Sequence, residues 1–148
     1  MRGENGKIYA FPYSAKQILE VDPTGNEVIT THIGTSSGST NRKYATSVVA
    51  ENGKIFAAPL DADYVLDIDS TENEVTATHV GTNLSSSYST SEYRRYNIHY
   101  NGKYRTSAVA GNGKIYAAPY TARKVLDINP RRNEVFTRQT CRHRPWSA

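Results

Sequence analysis

Apolar and polar residues alternate along this chain in short runs, as in Leu66-Asp67-Ile68. No stretch holds apolar residues at helical spacing for long enough to build a helix. The runs are rich in Val, Ile, Tyr and Thr and are bounded by Asn, Gly, Pro and Asp, which is the pattern of strands joined by tight turns. The pattern predicts an all-β protein.

The runs also repeat. "KIYAFPY" (7–13), "KIFAAPL" (54–60) and "KIYAAPY" (114–120) are near copies. Each is followed by a second run, "QILEVDP" (17–23), "YVLDIDS" (64–70) or "KVLDINP" (124–130). A third follows: "NEVITTHIG" (26–34), "NEVTATHVG" (73–81) or "NEVFTRQT" (133–140). "KYATSVVA" (43–50) and "KYRTSAVA" (103–110) precede the second and third copies. The unit is thus four strands, A to D, with Asn-Gly between A and B. Asn-Gly between two strands is a hairpin signal, and a type I′ turn with positive φ at both residues is expected there. "DPTGN", "DSTEN" and "NPRRN" supply the C–D turns.

A four-stranded unit recurring at Asn5, Asn52 and Asn112 has the period of a propeller blade. In strand and turn pattern the chain resembles kelch-like and NHL-like β-propeller repeats. The kelch double glycine and the WD dipeptide are absent, so the resemblance implies a fold and no particular activity. The expected organisation is blade 1 at about 1–34 without most of its inner strand, and blade 2 at about 43–81. An inserted loop follows at 82–102, then blade 3 at about 103–140 and a tail at 141–148. A β-sandwich of duplicated hairpins competes with this reading but does not explain the near-identical copies.

Propellers close with about four to eight blades. Three blades per chain therefore lead to the expectation of a six-bladed homodimer, in which self-association covers the two outer blade faces. Met1, Arg2 and Gly3 of one copy, with Arg144, Pro145, Trp146 and Ser147 of another, are expected to form the missing inner strand at that interface. The competing reading is a fragment of a longer propeller.

Composition changes this picture little. Hydrophobic residues make up 37% of 148 residues, but Tyr outnumbers Phe eleven to three, which suits strands with one wet edge. The net charge of +4 lies in residues 131–148, where Arg131, Arg132, Arg138, Arg142 and Arg144 face Glu134 alone. A basic face for nucleic acid is therefore not expected. No apolar run has the length of a membrane span, and "MRGENGK" has no signal-peptide core, so neither membrane nor export is expected. With Cys141 as the single cysteine, a reducing, cytoplasmic setting is expected.

For chemistry, Glu20, Asp67 and Asp127 recur in strand C, where pairing with Lys or with backbone N–H groups is expected rather than a ring of ligands. His32 and His79 share one repeat position, which points to structure. No nucleophile elbow, phosphate loop or carboxylate pair stands out. The expectation is no enzyme, no catalytic residue, no metal and no cofactor. A binding surface is expected instead on the face carrying the B–C loops, where constant Pro and Ala frame the variable Tyr13, Lys16, Asp61, Asp63, Tyr120 and Arg123. The insertion reaches the same face and brings Tyr93, Arg94, Arg95, Tyr96 and His99, residue types common in binding hot spots. The expected ligand is a protein or a glycan, and a lectin-like glycan binder or a metal-dependent propeller hydrolase or lyase are the alternatives. Removing 84–96 is expected to leave the fold intact.

Overall fold

A computed structural model describes residues 1–25, 27–32, 42–71, 76–81, 84 and 102–139. Three antiparallel sheets follow one another along the chain. The first holds β1 (Ile8–Ala10), β2 (Gln17–Asp22) and β3 (Glu27–His32). The second holds β4 (Tyr44–Val49), β5 (Ile55–Pro59), β6 (Val65–Asp69) and β7 (Thr76–Val80). The third holds β8 (Tyr104–Val109), β9 (Ile115–Pro119), β10 (Lys124–Asn129) and β11 (Glu134–Gln139). Every neighbour in sequence is a neighbour in the sheet, so each sheet is a plain meander. Residues 1–3 start the first sheet: Arg2 bridges to Ile8, the register that Val49 and Ile55 hold in the second.

The sheets pack face against face. Strand β5 shows why blade 2 is apolar on both sides: its alternate side chains enter different cores. Ile55 and Ala57 meet Tyr9 and Ile18 of blade 1, together with Leu66 and Ile68. Phe56 and Ala58 meet Ile115, Ala117, Leu126 and Ile128 of blade 3. An unbroken buried run therefore replaces the half-buried alternation of an outer sheet.

The Asn-Gly turns differ from the type I′ form expected. Gly6, Gly53 and Gly113 have φ of 81°, 77° and 74°, but none of the preceding asparagines has a positive φ. Ala50 accepts from Gly53 N and donates to Lys54 O, and Ala110 does the same with Gly113 and Lys114. This is the hairpin with three loop residues, in which glycine alone takes the left-handed conformation. The asparagine serves as a brace: Oδ1 of Asn5, Asn52 and Asn112 accepts from the amide of Lys7, Lys54 and Lys114. Its capacity to accept from the backbone, rather than its tolerance of positive φ, accounts for its place in the turn.

Leu84 was expected in a dispensable insertion. It is buried in the core between blades 2 and 3, and its amide donates to Asp63 O at 2.6 Å. Among the described residues no helix is long and apolar enough to cross a membrane.

Candidate functional site at the upper face

The meander places the B–C loops and the starts of the inner strands at one end of the sheets, here the upper face. Adjacent blades are tied there by a repeated lysine. Lys43 N donates to Tyr13 O at 2.7 Å, and Lys43 Nζ to Ala15 O at 2.8 Å. One blade on, Lys103 N donates to Leu60 O at 2.6 Å, and Lys103 Nζ to Asp61 O at 3.4 Å. Both lysines are buried, so carbonyls of the preceding B–C loop replace water around the ammonium. Burial brings the Lys103 ammonium down to about 8, against the smaller opposing pull of Asp63 and Asp61. The tyrosines beside them finish the joint: Tyr44 OH donates to Tyr64 O and Tyr104 OH to Lys124 O.

Around this joint the expected ligand residues divide. Asp61 is buried and ion-paired with Arg42 at 2.9 Å. Burial pushes its carboxyl above the usual range, with the positive charges of Arg42, Lys103 and Arg105 working against that rise. Its carboxylate is turned inward to brace the loop. Asp63 is half-buried. Tyr13, Lys16, Tyr120 and Arg123 are exposed, as a recognition surface requires. Arg105 was not foreseen: its guanidinium lies 3.7 Å over the Tyr120 ring, a cation–π stack open to solvent. Its signal was its place in "KYRTS", where the matching inner strand has Ala45.

Tyr93, Arg94, Arg95, Tyr96 and His99 lie outside the described residues, as do Arg144, Pro145, Trp146 and Ser147 of the expected interface. Met1 and Arg2 are exposed and Gly3 is buried against Ser70 and Tyr9.

At the opposite face the strand-C acids pair with the turn lysines, as expected. Lys7 Nζ meets Glu20 at 2.6 Å, Lys54 meets Asp67 at 3.6 Å and Asp69 at 3.0 Å, and Lys114 meets Asp127 at 3.3 Å. Thr78 and Arg138 add hydrogen bonds to Asp67 and Asp127. His79 stacks on Tyr64 with ring centroids 5.2 Å apart, in keeping with a structural role. Among the described residues no group of three or more His, Cys, Asp or Glu is placed to hold a metal ion.

Successive antiparallel meanders packed face to face define the β-propeller class of fold. Comparison with solved structures agrees with that class. A virginiamycin B lyase from Staphylococcus aureus matches with a TM-score of 0.58 at 9% identity, over 95% of this chain and 40% of that one. A catalytically inactive variant from the same organism, solved with Quinupristin, gives 0.61 at 8% identity over 95% and 40%. A streptogramin B lyase gives 0.56 at 13% identity over 95% and 39%. The chain thus spans about two fifths of the length of these lyases. No protein-family model and no curated protein matches the sequence, so no particular repeat family, kelch-like or other, is supported.

These matches correct one expectation. The chain was expected not to be an enzyme because its sequence carries no familiar catalytic motif. The solved structures named above are of lyases, so a missing motif is no ground for that expectation. The likeness itself extends to the fold alone.

Proposed function

We propose that the chain is a recognition module that takes an anionic ligand, an acidic protein segment, on the upper face of its propeller blades. The observation behind the reading is the Arg105–Tyr120 stack, which presents a planar cation and an aromatic ring together at a rigid strand-and-loop edge. Arginine suits carboxylate recognition because its fork of donors matches two oxygens. Arg123 adds exposed positive charge on the same B–C loop as Tyr120, and Lys16 and Tyr13 add a further charge and a second ring on the B–C loop of blade 1. Asp61, turned inward against Arg42, does not oppose an approaching carboxylate from the surface. The test is binding of a fluorescent Glu/Asp-rich peptide, with sialylated and neutral oligosaccharides as the competing ligand class. Arg105→Ala and Tyr120→Ala should each weaken peptide binding about tenfold. Equal binding by both variants, or binding of the oligosaccharides alone, rejects the reading.

A second reading is catalytic and rests on the fold shared with streptogramin B lyases. It is tested by incubating the protein with Quinupristin and a divalent cation and following the compound by chromatography. Unchanged Quinupristin after prolonged incubation rejects that substrate.

A further inference from the structure

The repeat lets each blade face be compared with its counterpart in the next blade, and two faces fail the comparison. One face of blade 2 carries Ile55, Leu66 and Ile68, all fully buried against blade 1. The matching face of blade 3 carries Ile115, Leu126, Ile128 and Val135, buried against blade 2. Blade 1 repeats that face as Ile8, Leu19, Val21 and Val28. There Ile8 is 45%, Leu19 37% and Val28 65% exposed, against 0% for Ile115 and Leu126 and 6% for Val135. This is the leading face of blade 1, and among the described residues no blade covers it.

The trailing faces give the complementary result. Blade 1 offers Tyr9, Phe11 and Ile18 to blade 2, and blade 2 offers Phe56, Ala58 and Val65 to blade 3. Tyr9, Ile18, Phe56, Ala58 and Val65 are all buried. Blade 3 repeats the set as Tyr116, Ala118 and Val125, of which Ala118 is exposed and the other two only partly covered. Phe136 adds little to the comparison, because its counterpart Ile29 is 45% exposed at a junction that is already packed.

The uncovered leading face is therefore the same kind of surface that this chain twice seats on a trailing face, and the uncovered trailing face is the same kind that twice receives it. We propose that two copies of this chain pack head to tail, the leading face of blade 1 in each copy seated on the trailing face of blade 3 in the other. The occupant is argued from the chain's own two junctions, whose shape and apolar character the new contact reproduces. Head-to-tail contacts form a closed assembly when the rotation closes. Each copy adds three blades, and propellers close with about four to eight. Six blades and two copies satisfy both conditions. Two such junctions cover the leading face of blade 1 and the trailing face of blade 3 in each copy.

The geometry makes an unusual mixing experiment possible, because each junction uses one leading and one trailing face. Leu19→Asp disables only the leading face, and Ala118→Arg only the trailing face. By light scattering at about 20 μM the unaltered chain should have the mass of two copies. Each variant alone should have the mass of one, with an unchanged far-ultraviolet circular dichroism spectrum. Mixed, the two variants should recover a species of two copies, because one of its two junctions joins two unaltered faces. A monodisperse single copy of the unaltered chain overturns the proposal, as does a stable assembly of three copies. It is also overturned if the folded variants stay single after mixing, or if either variant alone associates as the unaltered chain does.

Discussion

Gly81 backs directly on Val135 of the next blade: a β-carbon at Gly81 would lie 2.3 Å from Val135 Cβ. Its φ of 81° adds a second reason for glycine, since side-chain-bearing residues rarely adopt that backbone. Gly81→Ala should therefore lower the stability of the folded chain by about 3 kcal/mol, combining overpacking with backbone strain. Denaturant melts would measure it. Val135→Ala in the same chain should restore only part of the loss, because it removes the contacts to the two Val135 methyl groups and leaves both the Cβ contact and the φ unchanged. Full recovery would show that the backbone term is absent.

The buried Lys103 makes the joint between blades 2 and 3 sensitive to alkali. Its folded value is lowered to about 8 from the ordinary 10.5, so between those values the unfolded chain holds the proton more tightly than the folded one. Stability contributed at this site therefore rises with pH from about 8 towards 10. The upper limit of the readable window is set by tyrosine. Burial raises Tyr44 and takes Tyr104 to about 12, so their contributions decline as pH passes 10. Melting temperature followed from pH 7.5 to 9.5 should rise in the unaltered chain relative to Lys103→Met. Parallel curves for the two proteins would refute the assignment.

Asp127 is fully buried, while its partners Lys114 and Arg138 keep 27% and 61% of their side chains exposed. The asymmetry predicts an asymmetric mutational cost. Removing both cations as Lys114→Met with Arg138→Met strands a carboxylate away from water, at a cost of about 3–5 kcal/mol. Asp127→Asn frees two cations that reach solvent, and should cost less than half as much. Urea melts of the two proteins give the comparison, and equal losses would refute it.

Leu84 anchors the start of the long D–A connection in the core between blades 2 and 3. Leu84→Ala should cost about 2–3 kcal/mol, as buried leucine truncations do. Deleting 86–96 while keeping Leu84 should cost far less, because loop closure depends only weakly on length. Thermal melts of both proteins decide the matter, and a larger loss from the deletion would place further core contacts inside the loop.

Much of the fold was legible because it rests on local rules. Alternation at Leu66-Asp67-Ile68 and the Asn-Gly punctuation locate strands and hairpins, and the near-identical copies mark the blades. The lysine and acid pairs at the lower face were legible too, since Lys54 and Asp67 lie at fixed positions on adjacent strands and face one another once the hairpin forms. The candidate site was legible in part. Tyr13 and Tyr120 were foreseen as exposed loop tips, whereas Asp61 looked like a tip and is an internal brace. The stack of Arg105 on Tyr120 joins an inner-strand residue to a B–C loop tip; the sequence marks Arg105 only as a departure from Ala45, and no local pattern announces the contact.

What the sequence determined by itself was the set of strands, their meander order and the number of blades, because backbone propensity and turn chemistry act within a few residues. What only the tertiary structure decided was which of several identical residues is buried. Ile8 and Ile115 both follow Asn-Gly-Lys and precede Tyr-Ala, yet the first is exposed and the second lies at the centre of a core. Lys43 and Lys103 resemble solvent-facing lysines in the sequence, and the preceding blade encloses them. Burial depends on the neighbouring sheet, and that neighbour is supplied by residues far away in the chain.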